Sequence, residues 1–425
     1  MMKRVTVLSA LAALIGILNV NAIICYPFDG YQLTGIRRLE RIRLIVDKKL
    51  KGTVPVNGAR KSVADIQLNL VSLPGDSLRV FPQVNPELQK RIDALFPDRH
   101  ESYSLALLDI TPGKPFRLAL RQADRQFSPG SVGKLAIAAG LFTELQKMFP
   151  NSIEKRRELL RSRYVIADRW IHIDSHEIPI FDPDTGTFEN RAARDGDRFS
   201  LYEWVDHMLS ASANSAGSVV WKEVMLMRAF GSQYPPTPEQ ERDFFGKTPR
   251  DVLRDMAMST VNDPLRAIGI GQDDWQLGSF FTSNGQKIVP GGGKSQGTTY
   301  GLLQYLVALE RGKIVDEWSS LEIKRLMYMT ARRIRYASSP ALNNAAVYFK
   351  SGSLYKCKPE ENFACKKYMG NVDNYMNSVA IIEHPDGCTY LVALMSNVLK
   401  KNSAVEHQSL ATFIDRIIRD SKPDK

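Results

Sequence analysis

The stretch FSPGSVGKLAIAAGLF, Phe127 to Phe142, decides how the rest of the chain is read. Ser128 suits a helix N-cap and Pro129 its first turn, and the apolar run from Leu135 to Leu145 predicts the helix that follows. Ser131 and Lys134 stand three apart in the first turns of that helix. Both side chains therefore point to one face, at the end where unpaired N–H groups and the helix dipole supply positive charge. A hydroxyl with an amine beside it is a nucleophile with its own base, provided burial or a neighbouring cation makes the amine give up its proton easily.

Ser-x-x-Lys by itself decides nothing, because Ser152 to Lys155 and Ser353 to Lys356 repeat it in the same chain. Order along the chain carries more. Downstream of Lys134 come Ser212-Ala213-Asn214, in a polar break between helical runs, and then Lys350-Ser351-Gly352, on a predicted strand from Ala346 to Tyr355. No other Lys followed by Ser or Thr and then Gly exists in the sequence.

The pattern around these motifs is mixed. Upstream, a short helix (Leu88, Ile92, Leu95) leads into a hairpin, Ser104 to Ile110 and Phe116 to Leu120, turned at Thr111-Pro-Gly113. The middle, about 135 to 335, reads as helices, clearest where Leu302, Leu303, Leu306 and Leu309 recur until Gly312, with long loops at 165–200 and 230–297. After Pro340 strands return, Ser378 to Glu383 and Thr389 to Met395 joined at His384-Pro-Asp-Gly387. A last helix carries Leu410, Phe413, Ile414, Ile417 and Ile418 on one face. Strands at both ends of a helical middle predict an α+β fold: one antiparallel β-sheet flanked by helices, with an inserted all-helical lobe and a cleft between the two.

On its three motifs the chain resembles the serine β-lactamase and penicillin-binding protein superfamily, nearest the class A enzymes, over about residues 95 to 420. Arg333-Ile-Arg335 ahead of the third motif belongs to that likeness. The resemblance implies acyl transfer without a cofactor: Ser131 attacks an amide carbonyl and Lys134 takes its proton. The backbone N–H groups of Ser131 and Ser353 form the oxyanion hole. Ser212 passes the proton to the leaving nitrogen, Asn214 binds the substrate's side-chain amide, and Lys350 with Ser351 holds its carboxylate. Lys350 also helps to keep Lys134 neutral, and Gly352 leaves room for substrate along the strand. The substrate class is a β-lactam or a peptidoglycan peptide.

Two departures mark the chain off. Class A enzymes carry Glu-x-x-Leu-Asn between the second and third motifs, whose glutamate activates the deacylating water. No such string lies between Asn214 and Lys350; Asp65-Ile-Gln-Leu-Asn69 comes too early, and Asp273 and Asp274 are the acids in the right stretch. Ala213 also stands where the family has aspartate. Acylation is thus expected and efficient release is not, which keeps open a penicillin-binding DD-peptidase or acylated sensor, and beyond that a non-catalytic envelope scaffold. Gly130-Ser-Val-Gly-Lys134 and Gly291-Gly-Gly-Lys-Ser295 echo a phosphate loop, but each lacks the leading glycine, which excludes a nucleotide site.

The ends and the composition give the address. Lys3 and Arg4, an apolar run from Val5 to Leu18 and the small residues up to Ala22 predict a signal peptide, 1–22, and a periplasmic or secreted product. Residues 23–95 form an N-terminal extension without recognisable chemistry, and 96–425 the catalytic domain. Of four cysteines, Cys357 and Cys365 bracket a short polar stretch and make the local pair, leaving Cys25 with Cys388, although all three pairings remain open. Six scattered histidines and no Cys-x-x-Cys argue against zinc. The net charge of +11 is spread along the chain, so it points to no nucleic-acid partner; its densest cluster, Arg37, Arg38, Arg41 and Arg43, predicts a solvated helix face, and an envelope surface remains a partner by charge alone.

Overall fold

The structure, a computed structural model, describes residues 26–75, 77–329 and 332–420. The predicted signal peptide and Cys25 lie outside the described residues. In chain order, α1 (Tyr31–Thr34), α2 (Arg37–Val46) and α3 (Pro86–Asp93) precede the hairpin β1 (Ser104–Asp109) and β2 (Arg117–Arg121). The lobe follows with α4 (Lys134–Met148) and α5 (Ile153–Ser162), then the short strands β3 (Tyr164–Ile166), β4 (Glu177–Phe181), β5 (Phe188–Ala192) and β6 (Arg198–Ser200). Next come α6 (Leu201–Leu209), α7 (Asn214–Phe230), α8 (Pro238–Lys247), α9 (Arg250–Ala267), β7 (Trp275–Gln276), α10 (Ser283–Ile288) and β8 (Gln296–Gly297). The chain closes with α11 (Thr299–Glu310), α12 (Glu317–Leu326), β9 (Ala346–Lys356), β10 (Asp373–Glu383), β11 (Thr389–Asn397) and α13 (Ala404–Arg419).

The principal sheet is antiparallel with strand order β2-β1-β11-β10-β9. β1 and β11 are buried along their whole length or nearly so, because both faces of the sheet are covered. Ala106, Leu108, Leu391, Ala393 and Met395 face the helical lobe, whereas Leu105, Leu107, Tyr390, Val392 and Leu394 face the layer that contains α3 and α13. The period-two alternation of each strand sorts its residues between two cores. The predicted α+β architecture is the one observed.

Several expectations are corrected. The stretch 230–297 is not a long loop: it holds α8 and α9, started by a capping box in which Thr237 and Gln240 satisfy each other's backbone, with Pro238 in the first turn. Only Phe245 of α8 is buried, so the apolar period that announces a helix is missing. The stretch 165–200 folds into two small antiparallel pairs, β3 with β6 and β4 with β5. Finally, the arginines of α2 are not a solvated face. Arg38 is 2% exposed and its guanidinium grips the carboxylate of Asp206 on α6, while Arg37 Nε donates to Glu203 at 2.8 Å. Phe413 of α13, placed on the apolar face by its spacing, is 39% exposed.

The N-terminal segment is woven through both halves of the molecule. Tyr26, Ile36, Leu39, Ile42, Ile66 and Leu70 belong to the same core as α4 and α7. Lys61 Nζ donates to Glu383 on β10 at 2.8 Å, and Asn69 donates from its backbone to Glu310 on α11 and from its side chain to Glu383. Gly58 is required where it sits: a Cβ there would fall 2.0 Å from the carbonyl oxygen of Ala345.

Candidate active site

The nucleophile's turn differs from the expected helix start. Gly130–Gly133 is a 3₁₀ turn and α4 begins at Lys134; the Ser128 side chain caps nothing, and its carbonyl instead accepts from Asn377 Nδ2 at 2.8 Å. Gly130, with φ +51°, lets this turn lie against β9: a Cβ on it would be 2.8 Å from the Ser353 nitrogen. Gly352 completes the fit from the other side, since a Cβ there would be 2.2 Å from the Pro129 carbonyl and 3.1 Å from the Ser131 nitrogen. The backbone nitrogens of Ser131 and Ser353 are thereby brought to one spot. β9 is the edge strand of the sheet; the outer backbone of its first half pairs with residues 327–329, while Ser351 to Ser353 beyond it wall the cleft.

Lys134 is fully buried, and its ammonium position has three oxygens around it: Ser131 Oγ at 3.0 Å, the Ser212 carbonyl at 2.5 Å and Asn214 Oδ1 at 2.8 Å. Burial pushes Lys134 down to about 7, against the opposing pull of Asp174. Of the two causes open from the sequence, burial or a neighbouring cation, burial does the lowering. A neutral amine has two N–H bonds and one lone pair. Two of its three neighbours, a carbonyl and an amide oxygen, can only accept, so they take the two N–H bonds and leave the lone pair for the Ser131 hydroxyl, the one neighbour that can donate.

The other motif residues arrive at the same cleft. Ser212 sits with φ +61° in the turn between α6 and α7, and its hydroxyl accepts from Lys350 Nζ at 2.7 Å. Asn214 opens α7, and Ser351, Gly352 and Ser353 wall the cleft from β9. Ser131, Lys134, Ser212, Asn214, Lys350, Ser351, Gly352 and Ser353, scattered over the sequence, meet at one place. Asp273 and Asp274 do not: Asp274 lies beneath the start of α11, where its carbonyl accepts from the Thr298 nitrogen, and neither residue walls the cleft.

The structure adds residues that no motif announced. Asp174 accepts from the Ser215 nitrogen at 2.8 Å and from His176 Nδ1 at 2.6 Å. Burial raises its carboxyl, but the His176 partner and that N–H outweigh it and hold the group well below the usual range. The ring of Phe281 lies 4.8 Å from Lys134 Nζ. Arg335, already part of the sequence likeness, is buried with φ +51° and donates to the Gly352 carbonyl at 2.7 Å. A dyad in Asp174-Ser-His176 and an aromatic in Phe280-Phe281 have no spacing that marks them. The cavity measures about 1650 Å³, well above the volume of a usual small-ligand pocket. Among the described residues no group of His, Cys, Asp or Glu could hold a metal ion.

No family model and no curated protein matches the sequence. Solved structures do match in shape. The TLA-3 extended-spectrum β-lactamase is 13% identical with a TM-score of 0.51, over 79% of this chain and 98% of that one. A class A β-lactamase from Bacteroides cellulosilyticus is 14% identical with a TM-score of 0.50, over 79% and 96%. The matches extend over most of this chain and nearly all of each of those, and the chain therefore has the fold of the serine β-lactamases.

Proposed function

We propose that this chain is an exported serine hydrolase that forms an acyl-enzyme on Ser131 with an amide substrate of β-lactam or peptidoglycan-peptide type. The observation that carries the proposal is the set of partners around Lys134, which leaves its lone pair to the Ser131 hydroxyl at 3.0 Å. In this mechanism Ser131 Oγ attacks the carbonyl as its proton passes to Lys134 Nζ, and the oxyanion forms between the Ser131 and Ser353 nitrogens. The Ser212 hydroxyl, whose oxygen accepts from Lys350, gives its proton to the departing nitrogen and takes back the one Lys134 received from Ser131, so that Lys134 is neutral again. Lys350 and Ser351 hold the substrate's carboxylate, and Asn214 its side-chain amide. The Cys357–Cys365 disulfide accords with an oxidising compartment, and among the described residues no helix is long and apolar enough to cross a bilayer.

A second version, in which the acyl group is released slowly as in a DD-peptidase inhibited by penicillin or an acylated sensor, is favoured by one observation. Among the described residues no carboxylate bonds to Ser131, Lys134, Ser212 or Asn214, and the ring of Phe281 covers Lys134 instead. Intact-mass spectrometry of the mature chain with a penicillin, beside Ser131→Ala, tests both. We expect one adduct per chain that persists for many minutes and is absent from the variant. An adduct that clears while drug is consumed would make the protein a β-lactamase, and no adduct at all would remove the acyl-enzyme.

A further inference from the structure

β9 and β10 run beyond the sheet into an arm, 357–369, closed by the Cys357–Cys365 disulfide and tied to the loop after β11, where Lys400 donates from its backbone to the Gly370 carbonyl at 2.8 Å. The arm forms the cleft wall beside the third motif. There the ring of Tyr368 lies between two cations, with the Arg335 guanidinium 5.0 Å from its centroid and Lys367 Nζ 5.4 Å from it. Arg332 and Arg333 line the same wall, and Asp373 is the carboxylate that accompanies them.

The charge at this end is not neutralised by the protein. Arg335 is 8% exposed, yet among the described residues no carboxylate pairs with it; its donor goes to a carbonyl and its face to an aromatic ring. Nor does any carboxylate among the described residues pair with Arg332 or Lys367, whereas Arg37, Arg38, Arg156 and Arg163 each have one. A buried cation without a counter-ion is costly, and clustered cations repel, so an anionic ligand is what this wall is built to accept. One carboxylate, held by Lys350 and Ser351, would answer Arg335 beside it. Arg332 and Lys367, which line the same cavity, are then in surplus.

We propose that the disulfide-closed arm selects substrates whose leaving group carries a second carboxylate, bound by Arg332 and Lys367 while the first sits at Lys350 and Ser351. The proposal rests on the acyl-transfer mechanism above, and it assigns the arm a role in choosing substrate rather than in the chemistry.

Two thioester donors with the same acyl-D-alanyl part test it, one releasing mercaptoacetate and the other mercaptosuccinate, so that they differ by one carboxymethyl group. Thiol release gives kcat/KM for each. The wild-type chain should prefer the dianionic donor by about tenfold or more, the range expected of one charge-assisted contact. Arg332→Gln and Lys367→Gln should each bring the ratio toward one, as should Cys357→Ser with Cys365→Ser; Lys367 stands exposed on the arm, so its replacement leaves the core untouched. Release of both thiols at equal rates by the wild type would overturn the selection proposal alone. Release of neither, with no adduct on Ser131, would overturn the acyl-transfer mechanism and this proposal with it.

Discussion

At the scale of single residues, Lys134 sets the pH behaviour. With its amine held at about 7, the neutral form needed to accept the Ser131 proton grows as pH rises through neutrality. Acylation followed by mass should therefore climb from pH 5 to about 7.5 and then level; a flat or falling profile would contradict Lys134 as base. Stability responds to the same shift at higher pH. The unfolded lysine keeps its proton up to its ordinary value of 10.5, so between about 7 and 10.5 the unfolded chain binds more protons, and this group's contribution to stability rises with pH across that window. Gly352→Ala supplies a steric test: its Cβ would meet the Pro129 carbonyl at 2.2 Å, so the nucleophile's turn must move. We expect acylation to fall at least about a hundredfold and unfolding to shift by about 1–3 kcal/mol, read by mass adduct and thermal melt. The sequence showed every residue of the three motifs because each is tied to a neighbour at fixed spacing. Asp174, His176 and Phe281 were silent because they reach the cleft through tertiary packing, from loops whose local sequence has no period.

At the scale of elements, the pair α2 and α6 shows how a charge run can mislead. Arg38 and Asp206 are both buried, so truncating Arg38 leaves a carboxylate in the core without its partner. Arg38→Ala should cost about 3–5 kcal/mol in denaturant unfolding, while Arg38→Met combined with Asp206→Leu should recover most of it. If the double variant is no better than the single, the guanidinium is needed for more than charge balance. The hairpin, the last strands and α11 were legible from their alternation and periodicity, since each buries one or both faces. α8 was not, because a helix that buries one phenylalanine leaves only its capping box to read, and that box is a short signal.

At the scale of the whole molecule, the N-terminal segment reads from sequence as an appendage and turns out to be structural. It contributes side chains to the main core and bonds to α6, α11, α12 and β10. A chain that starts at residue 85 should therefore lose cooperative unfolding or fail to express as a folded species, measured by circular dichroism and melting; a stable, cooperative truncated chain would show that these contacts are ornamental. The sequence could not show this, because nothing local says that Ile66 and Leu70 pack against residues more than two hundred positions away.

That weaving has a consequence for the order in which the molecule can be made. Tyr26 to Asn69 have partners at Glu203 and Asp206 in the middle of the chain and at Glu310, Glu322 and Glu383 near its end. α6 offers the segment its first partners, but the last of them, Glu383, leaves the ribosome only after about nine-tenths of the chain, and contacts so distant in sequence close slowly. A nascent chain of this kind stays pliable almost to its last strand, and it locks as one piece only when β10 arrives.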